Sequence, residues 1–340
     1  MPTASRRQFN RLAAFGAGTA ALLSTGSVRA AADASRTAAA PWPEIPKRTL
    51  GRTGFEASRL IFGCGAALSR RKRDDLLDLA YDAGINVFDV GFRSYYGDAE
   101  ANLAGFLKRR RDNVFLISKA YVPTDIDWDE TISLSEAREA AKGWSAAIDG
   151  SLAEMQVEHI DAYYQMAANN TSVIRSEELY RAFEDAKAAG KVSHLGLSTH
   201  QNAQAVLAAA AETGWFDLAM IAVTPAGWYD FKRKEVLPDS PPMTALADDL
   251  ANARKAGIGL VGMKAGRYLA GGFFSKGDPD LFAEHYSREL LTARLSDFQK
   301  SYAYVLEHGL DVVNADMQAV AHLKENAIAA SVSGRYADTA

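Results

Sequence analysis

The sequence is almost free of cysteine, since Cys64 is the only one among 340 residues. An intramolecular disulfide and a metal site built from several cysteines are therefore excluded. The six histidines show neither the HxH nor the HExxH spacing, so no metal site is predicted. Basic blocks are also missing beyond the extreme N-terminus, and the formal net charge is -4. Nucleic acid is therefore not an expected partner.

Paired arginines open the N-terminal segment. The residues SRRQFNR at 5–11 precede the short apolar stretch LAAFGAGTAALLS at 12–24, and VRAAA at 28–32 offers small residues for cleavage. This order predicts an export signal of the twin-arginine type at 1–32, followed by a flexible lead-in at 33–46. The apolar stretch is too short for a stable membrane anchor. We expect an exported, periplasmic protein that engages the twin-arginine export machinery, with an alanine-rich surface helix or an uncleaved anchor as alternatives.

Short apolar runs alternate with helical periods from Lys47 onward. Strands are predicted at 59–65, 85–90, 113–119, 160–166, 193–198, 216–223, 258–263 and 310–315. Helices are predicted at 73–84, 100–110, 137–155, 176–190, 203–214, 242–257, 288–308 and 318–330. Glycines that stop helices stand before several of the strands, at Gly84, Gly190, Gly214 and Gly257.

This alternation predicts a single (β/α)8 TIM barrel over 47–330, with a tail at 331–340. The strands are continuously apolar rather than alternating, which is typical of a parallel sheet that is covered on both faces. A doubly wound open sheet is the competing fold, but no GxGxxG follows an early strand.

Polar residues close two of the predicted strands. The stretch FDVGFRSYYGDAE at 88–100 carries Asp89 at the end of strand two and then Tyr95 and Tyr96, and Lys119 ends strand three. Taken alone, an aspartate there caps the next segment and tyrosines pack over the sheet. In a TIM barrel, however, catalytic groups lie at the C-terminal ends of strands. An Asp, a Lys and a Tyr at adjacent strand ends then indicate a phenolic acid whose pKa the ammonium lowers.

Six blocks of the chain resemble the aldo-keto reductase family in the same order. They are RTLGRTGFEASRLIFGCG at 48–65, GINVFDVGFRSYYGDAE at 84–100, FLISKAY at 115–121, SLAEMQVEHIDAYYQM at 151–166, FEDAKAAGKVSHLGLSTH at 183–200 and DMQAVAHLKEN at 316–326. The resemblance implies reduction of aldehydes and ketones with NADPH, or the reverse oxidation of alcohols. It also implies that Tyr96, which Gly97 follows, is the proton donor, with Lys119 and Asp89 tuning it. Tyr95 is the second choice, because the family position of the tyrosine is occupied by Ser94.

The chain departs from the family pattern at the end of strand four. The resemblance implies a histidine there that orients and polarises the carbonyl, but Met166 occupies the aligned position. Side-chain alternation places Met166 on the face of Ala162 and Tyr164 and puts Gln165 on the other face. A thioether cannot donate a hydrogen bond.

The resemblance further implies NADP as cofactor, bound by Ser198, Lys264, Gln318 and Asn326. In the segment that would hold the adenosine phosphate, Asp316 stands where the family has a glycine, and Gln318 stands near the family's basic residue. An acid near a phosphate is unfavourable unless a cation compensates, and Arg267 or Lys324 could supply that charge.

Two functions from different classes remain open from the sequence. The first is an exported oxidoreductase that acts on a small-molecule carbonyl or alcohol substrate. The second is a catalytically weak or inactive barrel that binds a ligand or a partner, which the residues Met166, Asp316 and Gln318 favour. A sugar-binding barrel without nucleotide is a third possibility.

Overall fold

The computed structural model describes residues 42–230, 233–270 and 277–336. The predicted export signal at 1–32 lies outside the described residues, as do the first nine positions of the lead-in and the last four of the tail. None of the helices within the described ranges is both long and apolar enough to cross a bilayer.

Eight parallel strands close into a barrel, which confirms the predicted TIM-barrel fold. Going round the barrel, the order is β3, β4, β5, β6, β7, β8, β11 and β12, and β12 pairs with β3 to complete the circle. The strands are β1 (Lys47–Thr49), β2 (Glu56–Ser58), β3 (Leu60–Gly63), β4 (Val87–Asp89), β5 (Phe115–Tyr121), β6 (Ile160–Met166), β7 (Val192–Thr199), β8 (Leu218–Thr224), β9 (Gly227–Asp230), β10 (Glu235–Val236), β11 (Gly259–Met263) and β12 (Val312–Asp316).

Helices follow the barrel strands. They are α1 (Cys64–Leu68), α2 (Asp74–Asp82), α3 (Arg93–Tyr96), α4 (Ala99–Arg110), α5 (Leu134–Met155), α6 (Thr171–Ile174), α7 (Glu177–Ala188), α8 (Ala203–Thr213), α9 (Ala247–Lys255), α10 (Asp280–Ala283), α11 (Arg288–Thr292), α12 (Asp297–Glu307) and α13 (Val320–Ser331). Short 3-10 turns occupy Gly51–Thr53, Arg111–Asn113 and Met243–Leu246. The glycines predicted to stop helices, Gly84, Gly190, Gly214 and Gly257, all have positive φ, which a residue without Cβ adopts freely.

Two predicted elements differ in the structure, and two further strands were not predicted. The first barrel strand ends at Gly63, and helix α1 begins at Cys64 inside the predicted strand. The helix predicted at 288–308 is split into α11 and α12, because Ser296 begins the second helix with a capping box to Gln299. The antiparallel strands β9 and β10, which extend the sheet from β8, were not predicted.

Two apolar layers fill the barrel wall and its interior. The outer layer lies between strands and helices and contains large buried side chains such as Trp144, Tyr163 and Phe216. The inner layer fills the lumen with residues from alternate strand positions, among them Val87, Ile117 and Tyr164. Because the lumen is packed, ligands have access only at its ends.

The β1–β2 hairpin closes the N-terminal end of the barrel. Leu50 and Ala57 from this hairpin belong to the lumen cluster and are fully buried. Arg52 holds the hairpin against the barrel by donating hydrogen bonds to the carbonyl oxygens of Gly214 and Ala256. The open end is therefore the C-terminal one, where the strand ends and following loops meet.

Candidate active site

A buried ion pair lies at the open end of the barrel, where β4 and β5 are neighbours. Lys119 Nζ lies 2.5 Å from Asp89 Oδ1 and donates a second hydrogen bond to the carbonyl oxygen of Val90 at 2.8 Å. Asp89 is 4% exposed and Lys119 is 3% exposed. Both residues lie two positions after lumen residues, Val87 and Ile117, so side-chain alternation directs both toward the barrel axis. The structure thus brings together the two charges that the sequence singled out.

Asn314 forms a hydrogen bond with the second carboxylate oxygen of Asp89. Its Nδ2 donates to Asp89 Oδ2 at 2.6 Å, from β12 on the far side of β3. The intervening strand ends at Gly63, where an added Cβ would lie 2.8 Å from Asn314 Oδ1, so that only glycine leaves room for the amide. Sequence reasoning missed Asn314, although one signal was present: it is a polar residue inside the apolar run LDVVNA at 310–315.

Tyr96 lies against this ion pair at the end of the short helix α3. The Lys119 ammonium is 5.4 Å from the centroid of the Tyr96 ring. The ring is held between two glycines: an added Cβ at Gly65 would lie 2.4 Å from it, and one at Gly91 would lie 2.7 Å from it. Since the backbone must approach an aromatic face this closely, both positions require glycine.

Tyr95 takes a different position. It is 39% exposed and contacts Tyr96 and Tyr121 edge-to-face, with ring centroids 4.7 Å and 5.9 Å away. The described contacts with Lys119 come from Tyr96 and not from Tyr95. Of the two tyrosines, Tyr96 is the one that the fold brings to the ion pair.

The pKa of Tyr96 is raised well above that of free tyrosine. Burial is the largest cause, and the Asp89 carboxylate adds to it. This net direction is opposite to the lowering that the sequence suggested, because loss of solvent around the phenol outweighs the nearby ammonium. The hydroxyl is therefore protonated at neutral pH, as a proton donor must be.

Met166 ends β6 two positions after the lumen residue Tyr164, so side-chain alternation directs it toward the barrel axis. Ala162 and Tyr164 belong to the lumen cluster, whereas Tyr163 belongs to the outer layer and shares its side with Gln165. Met166 is 4% exposed. It lines a cavity of about 610 Å³ together with residues of the loop after β5, including the exposed Trp128. The thioether thus faces space that a ligand can enter.

The loops after β6 and β7 are joined through Asn169. Its Oδ1 accepts hydrogen bonds from Thr199 Oγ1 at 2.7 Å and from the backbone N–H of His200 at 3.1 Å and of Gln201 at 3.3 Å. Its backbone carbonyl accepts from Asn202 Nδ2 at 3.0 Å. The single amide therefore fixes the chain on which His200 stands, and sequence reasoning named neither residue.

Ser198 is buried on β7 within the same connection. Its Oγ accepts a hydrogen bond from the backbone N–H of Ala167 at 3.2 Å, and its carbonyl accepts from Ala168 N at 2.7 Å. These contacts tie Ser198 to the end of β6 and give no direct link to Asp89 or Lys119. Asn326 is likewise buried, on α13, apart from the ion pair.

A second group of charges lies across the barrel mouth from Asn169. Burial and the neighbouring Arg267 lower the pKa of Lys264 to about 8, and its electrostatic partners also include Asp316 and Lys119. Asp316 accepts a hydrogen bond from Gln318 Nε2 at 3.0 Å. Burial in the concave mouth raises the pKa of Asp316 although its side chain can still be reached by solvent. Arg73 adds a third cation, donating to the carbonyl oxygen of Gln318 at 3.1 Å.

These charges suit the diphosphate of a nicotinamide dinucleotide. Lys264, Arg267 and Arg73 supply positive charge, and Asp316 is the opposing carboxylate. The donor set thus fits an anionic group, and the positive charges of Lys264 and Arg267 oppose that of Asp316. Within the described residues, no group of three or more His, Cys, Asp or Glu side chains is placed to hold a metal ion.

Comparison with known proteins gives both a family and a fold. The family model described as "Aldo/keto reductase family" matches residues 59–319. Among solved structures, a protein from Pseudomonas aeruginosa assigned to the aldo-keto reductases is similar with a TM-score of 0.59 at 19% identity, covering 88% of this chain and 99% of that one. The holo form of aldo-keto reductase AKR11C1 from Bacillus halodurans gives 0.61 at 19% identity, covering 84% and 90%. At such identities the structural likeness establishes the fold.

Proposed function

Because this chain belongs to the aldo/keto reductase family, we propose that it is an NADP(H)-dependent oxidoreductase that interconverts carbonyl compounds and alcohols, with Tyr96 as the proton donor. The observation that carries the proposal is the position of Tyr96 against the buried Asp89–Lys119 pair. An oxidoreductase on a TIM barrel agrees with the family and the fold. The donor, the cofactor and the place of action are our inference.

The Tyr96 cluster consists of Tyr96, Lys119, Asp89 and Asn314, and each residue has a defined task in the reduction. A nicotinamide cofactor held at the mouth would supply the hydride that the carbonyl carbon receives. Tyr96 gives its hydroxyl proton to the carbonyl oxygen, and the alcohol is complete. The Lys119 ammonium stabilises the phenolate left behind, which then recovers a proton from solvent. Asp89 and Asn314 hold the ammonium in place, since Asp89 contacts both.

The cofactor is assigned to the charged side of the mouth. Lys264 and Arg267 would bind the diphosphate. Gln318 and Asn326 lie on the segment assigned to the adenosine end of the cofactor. Ser198, at the end of β7, is the remaining residue assigned to cofactor binding. NADP carries an additional phosphate, so the charge of Asp316 costs binding energy that the cations must offset. Measured affinities for NADPH and NADH on one sample decide between the two cofactors.

The cavity beside Met166 is our candidate for the substrate. It is lined by the loop after β5, from Tyr121 to Trp128, and by residues 166–170. Asp125 and Asp127 are among the lining residues, and no Lys or Arg is among those described. We therefore propose an uncharged or positively charged small carbonyl or alcohol as substrate, because a carboxylate-lined cavity repels anions.

Two measurements test the proposed activity. A nucleotide present at about 100 times its Kd stabilises a fold by about 2.7 kcal/mol, so NADPH should raise the Tm of the full chain. Tyr96→Phe should lower kcat for aldehyde reduction by roughly 10²–10⁴-fold, the usual contribution of a general acid. Tyr95→Phe is the matched control and should keep kcat. If the wild-type chain shows no Tm shift with NADPH or NADH and reduces no aldehyde, the proposal is overturned in favour of a ligand-binding barrel.

Export is proposed from the sequence at 1–32. The paired Arg6 and Arg7 before a short apolar stretch support a twin-arginine signal. The full chain produced in a bacterium with this export machinery should accumulate in the periplasm. The double change of Arg6→Lys and Arg7→Lys should retain it in the cytoplasm, whereas Arg11→Lys should not. Equal periplasmic amounts of all three forms would contradict export by this route.

A further inference from the structure

The proposed reaction leaves one task without a residue at the end of β6. A carbonyl oxygen that receives a proton from Tyr96 is better polarised when a second donor reaches it. Met166 lies on the lumen side of β6 and lines the cavity, but its sulfur has no hydrogen to donate. A second donor, if the chain has one, must therefore come from another strand end.

His200 lies beside this gap, one strand further round the barrel. It follows directly on β7, which pairs with β6 through Tyr164 and Gly196 and through Gln165 and Leu197. Three charges from other strands act on its imidazole: Lys119 from β5, Lys264 after β11 and Asp230 at the end of β9. His200 follows Gly196 and Ser198 at alternate positions, whereas Leu195 and Leu197 belong to the outer layer, so side-chain alternation directs the imidazole toward the barrel axis at the open end.

The position of His200 is fixed rather than free. Asn169 Oδ1 accepts the backbone N–H groups of His200 and Gln201 and the hydroxyl of Thr199. Asn169 belongs to the loop that begins at Met166. This loop, which carries no histidine, therefore holds in place the segment after β7 that carries His200. This cross-link is the preorganisation that a hydrogen-bond donor in a catalytic site requires.

The imidazole ring of His200 is also available to donate a hydrogen bond. Within the described ranges, only the backbone of His200 takes part in a recorded hydrogen bond, and its ring nitrogens take part in none. Burial, followed by the charges of Lys264 and Lys119, lowers the pKa of His200 to about 4. At neutral pH the ring is therefore neutral and carries one N–H, which is a donor without a positive charge.

We infer that His200 donates a hydrogen bond to the carbonyl oxygen of the substrate alongside Tyr96, and so performs from β7 the polarising task that Met166 cannot perform from β6. This inference rests on the proposed reductase function. It adds a catalytic residue at a strand end where neither the sequence pattern nor the family resemblance had placed one.

Four full-length forms test the inference: wild type, His200→Ala, His200→Gln and Gln201→Ala, each assayed for NADPH-dependent aldehyde reduction. His200→Ala should lower kcat by about 10²-fold, the scale for loss of one donor to a developing oxyanion, while Tm and the Kd for NADPH stay unchanged. His200→Gln keeps an N–H donor and should recover a substantial part of kcat. Gln201→Ala changes a side chain in the same loop whose recorded contacts come only from its backbone, and it should retain wild-type kcat.

The possible results separate the inference from the function on which it rests. If wild type is active, Tyr96→Phe is inactive and His200→Ala retains wild-type kcat, the reductase function stands and the role of His200 is overturned. A His200→Ala loss that Gln does not relieve, or that comes with a lower Tm or a weaker Kd for NADPH, also overturns it, since a structural or cofactor-binding role would explain the loss. An inactive wild-type chain overturns the function itself.

Discussion

The two halves of the barrel mouth are built in different ways. On the side of β4 and β5, a buried ion pair is completed by Asn314 and covered by the Tyr96 ring. On the side of β6 and β7, two loops are joined through the neutral amide of Asn169. The first half keeps the residues that the family resemblance implies, whereas the second replaces the expected histidine by Met166.

The difference shows how each half tolerates change. A buried charge whose partner is removed is costly, because the remaining charge has lost both solvent and counter-ion. Loop contacts made by neutral amides cost less to lose, so the second half can exchange residues while the backbone stays in place. We therefore expect perturbation of the first half to cost more stability than perturbation of the second half. The predictions below test this contrast, beginning with the largest effect.

Breaking the ion pair should give the largest loss of stability. Lys119→Met leaves Asp89 buried with Asn314 as its remaining hydrogen-bond partner. Removal of one partner of such a pair costs about 3–5 kcal/mol in the free energy of unfolding, measured by urea denaturation. The double variant of Lys119→Met and Asp89→Leu removes both charges and should regain part of this loss. A single variant as stable as wild type would show that the pair is not a structural element.

Crowding the Tyr96 ring should come next. Gly65→Ala places a methyl group 2.4 Å from the ring, so Tyr96 must move away from Lys119. We expect a loss of about 3 kcal/mol, at the upper end for overpacking, and a loss of reductase activity in the same variant. Gly150→Ala in helix α5 is the control, since nothing lies within 4 Å of its added Cβ. That change should stabilise the chain by roughly 0.5–1 kcal/mol. Equal activity in the two variants would disprove the packing argument.

Removing the Asn169 amide should cost less. Asn169→Ala deletes the acceptor shared by Thr199, His200 and Gln201. A loss of about 2 kcal/mol is expected, because several buried donors lose a common partner. Gln201→Ala is the control, since its recorded contacts come from its backbone, and it should stay within about 0.5 kcal/mol of wild type. Chemical denaturation compares the two, and identical midpoints would contradict the role of Asn169.

The smallest effect concerns the pH dependence of cofactor binding. The pKa of Lys264 is lowered to about 8, so its positive charge is present at pH 7 and is lost as pH rises through 8. Between pH 7 and pH 9.5 the Kd for NADPH should rise about tenfold, which corresponds to one pKa unit of interaction. Lys264→Met should bind more weakly at pH 7 and show a flatter profile. Calorimetric titration measures both forms, and parallel profiles would exclude Lys264 as the titrating group.

The sequence predicted the barrel and one half of the mouth. Continuous apolar strands and helix-ending glycines are local signals, and they were enough for the fold. Asp89 and Lys119 were visible because each is a charge in an apolar run. Asn314 was not singled out, since its role depends on the room beside Gly63, and that room exists only when the barrel closes. His200 was missed for a related reason: it comes to the open end only when β7 pairs with β6 in the closed barrel.

The pKa of Tyr96 shows a second limit of sequence reasoning. Neighbouring charges can be read from strand ends, and they suggested a lowered pKa. Burial of the phenol depends on Gly65, Gly91 and the rings packed around it, and burial dominates the shift. The predicted direction of the Tyr96 pKa shift was therefore wrong, because tertiary packing determines how far the phenol is removed from solvent.

The central claim is that the barrel transfers hydride from a nicotinamide cofactor to a carbonyl carbon with Tyr96 as acid. The most direct test is to incubate the full chain with NADPH deuterated at the hydride-donating carbon and with a panel of aldehydes, and to analyse the alcohol by mass spectrometry. The account predicts deuterium on the carbinol carbon with the wild-type chain and at most trace product with Tyr96→Phe. Absence of deuterated alcohol from every aldehyde, or equal yields from both forms, would contradict it.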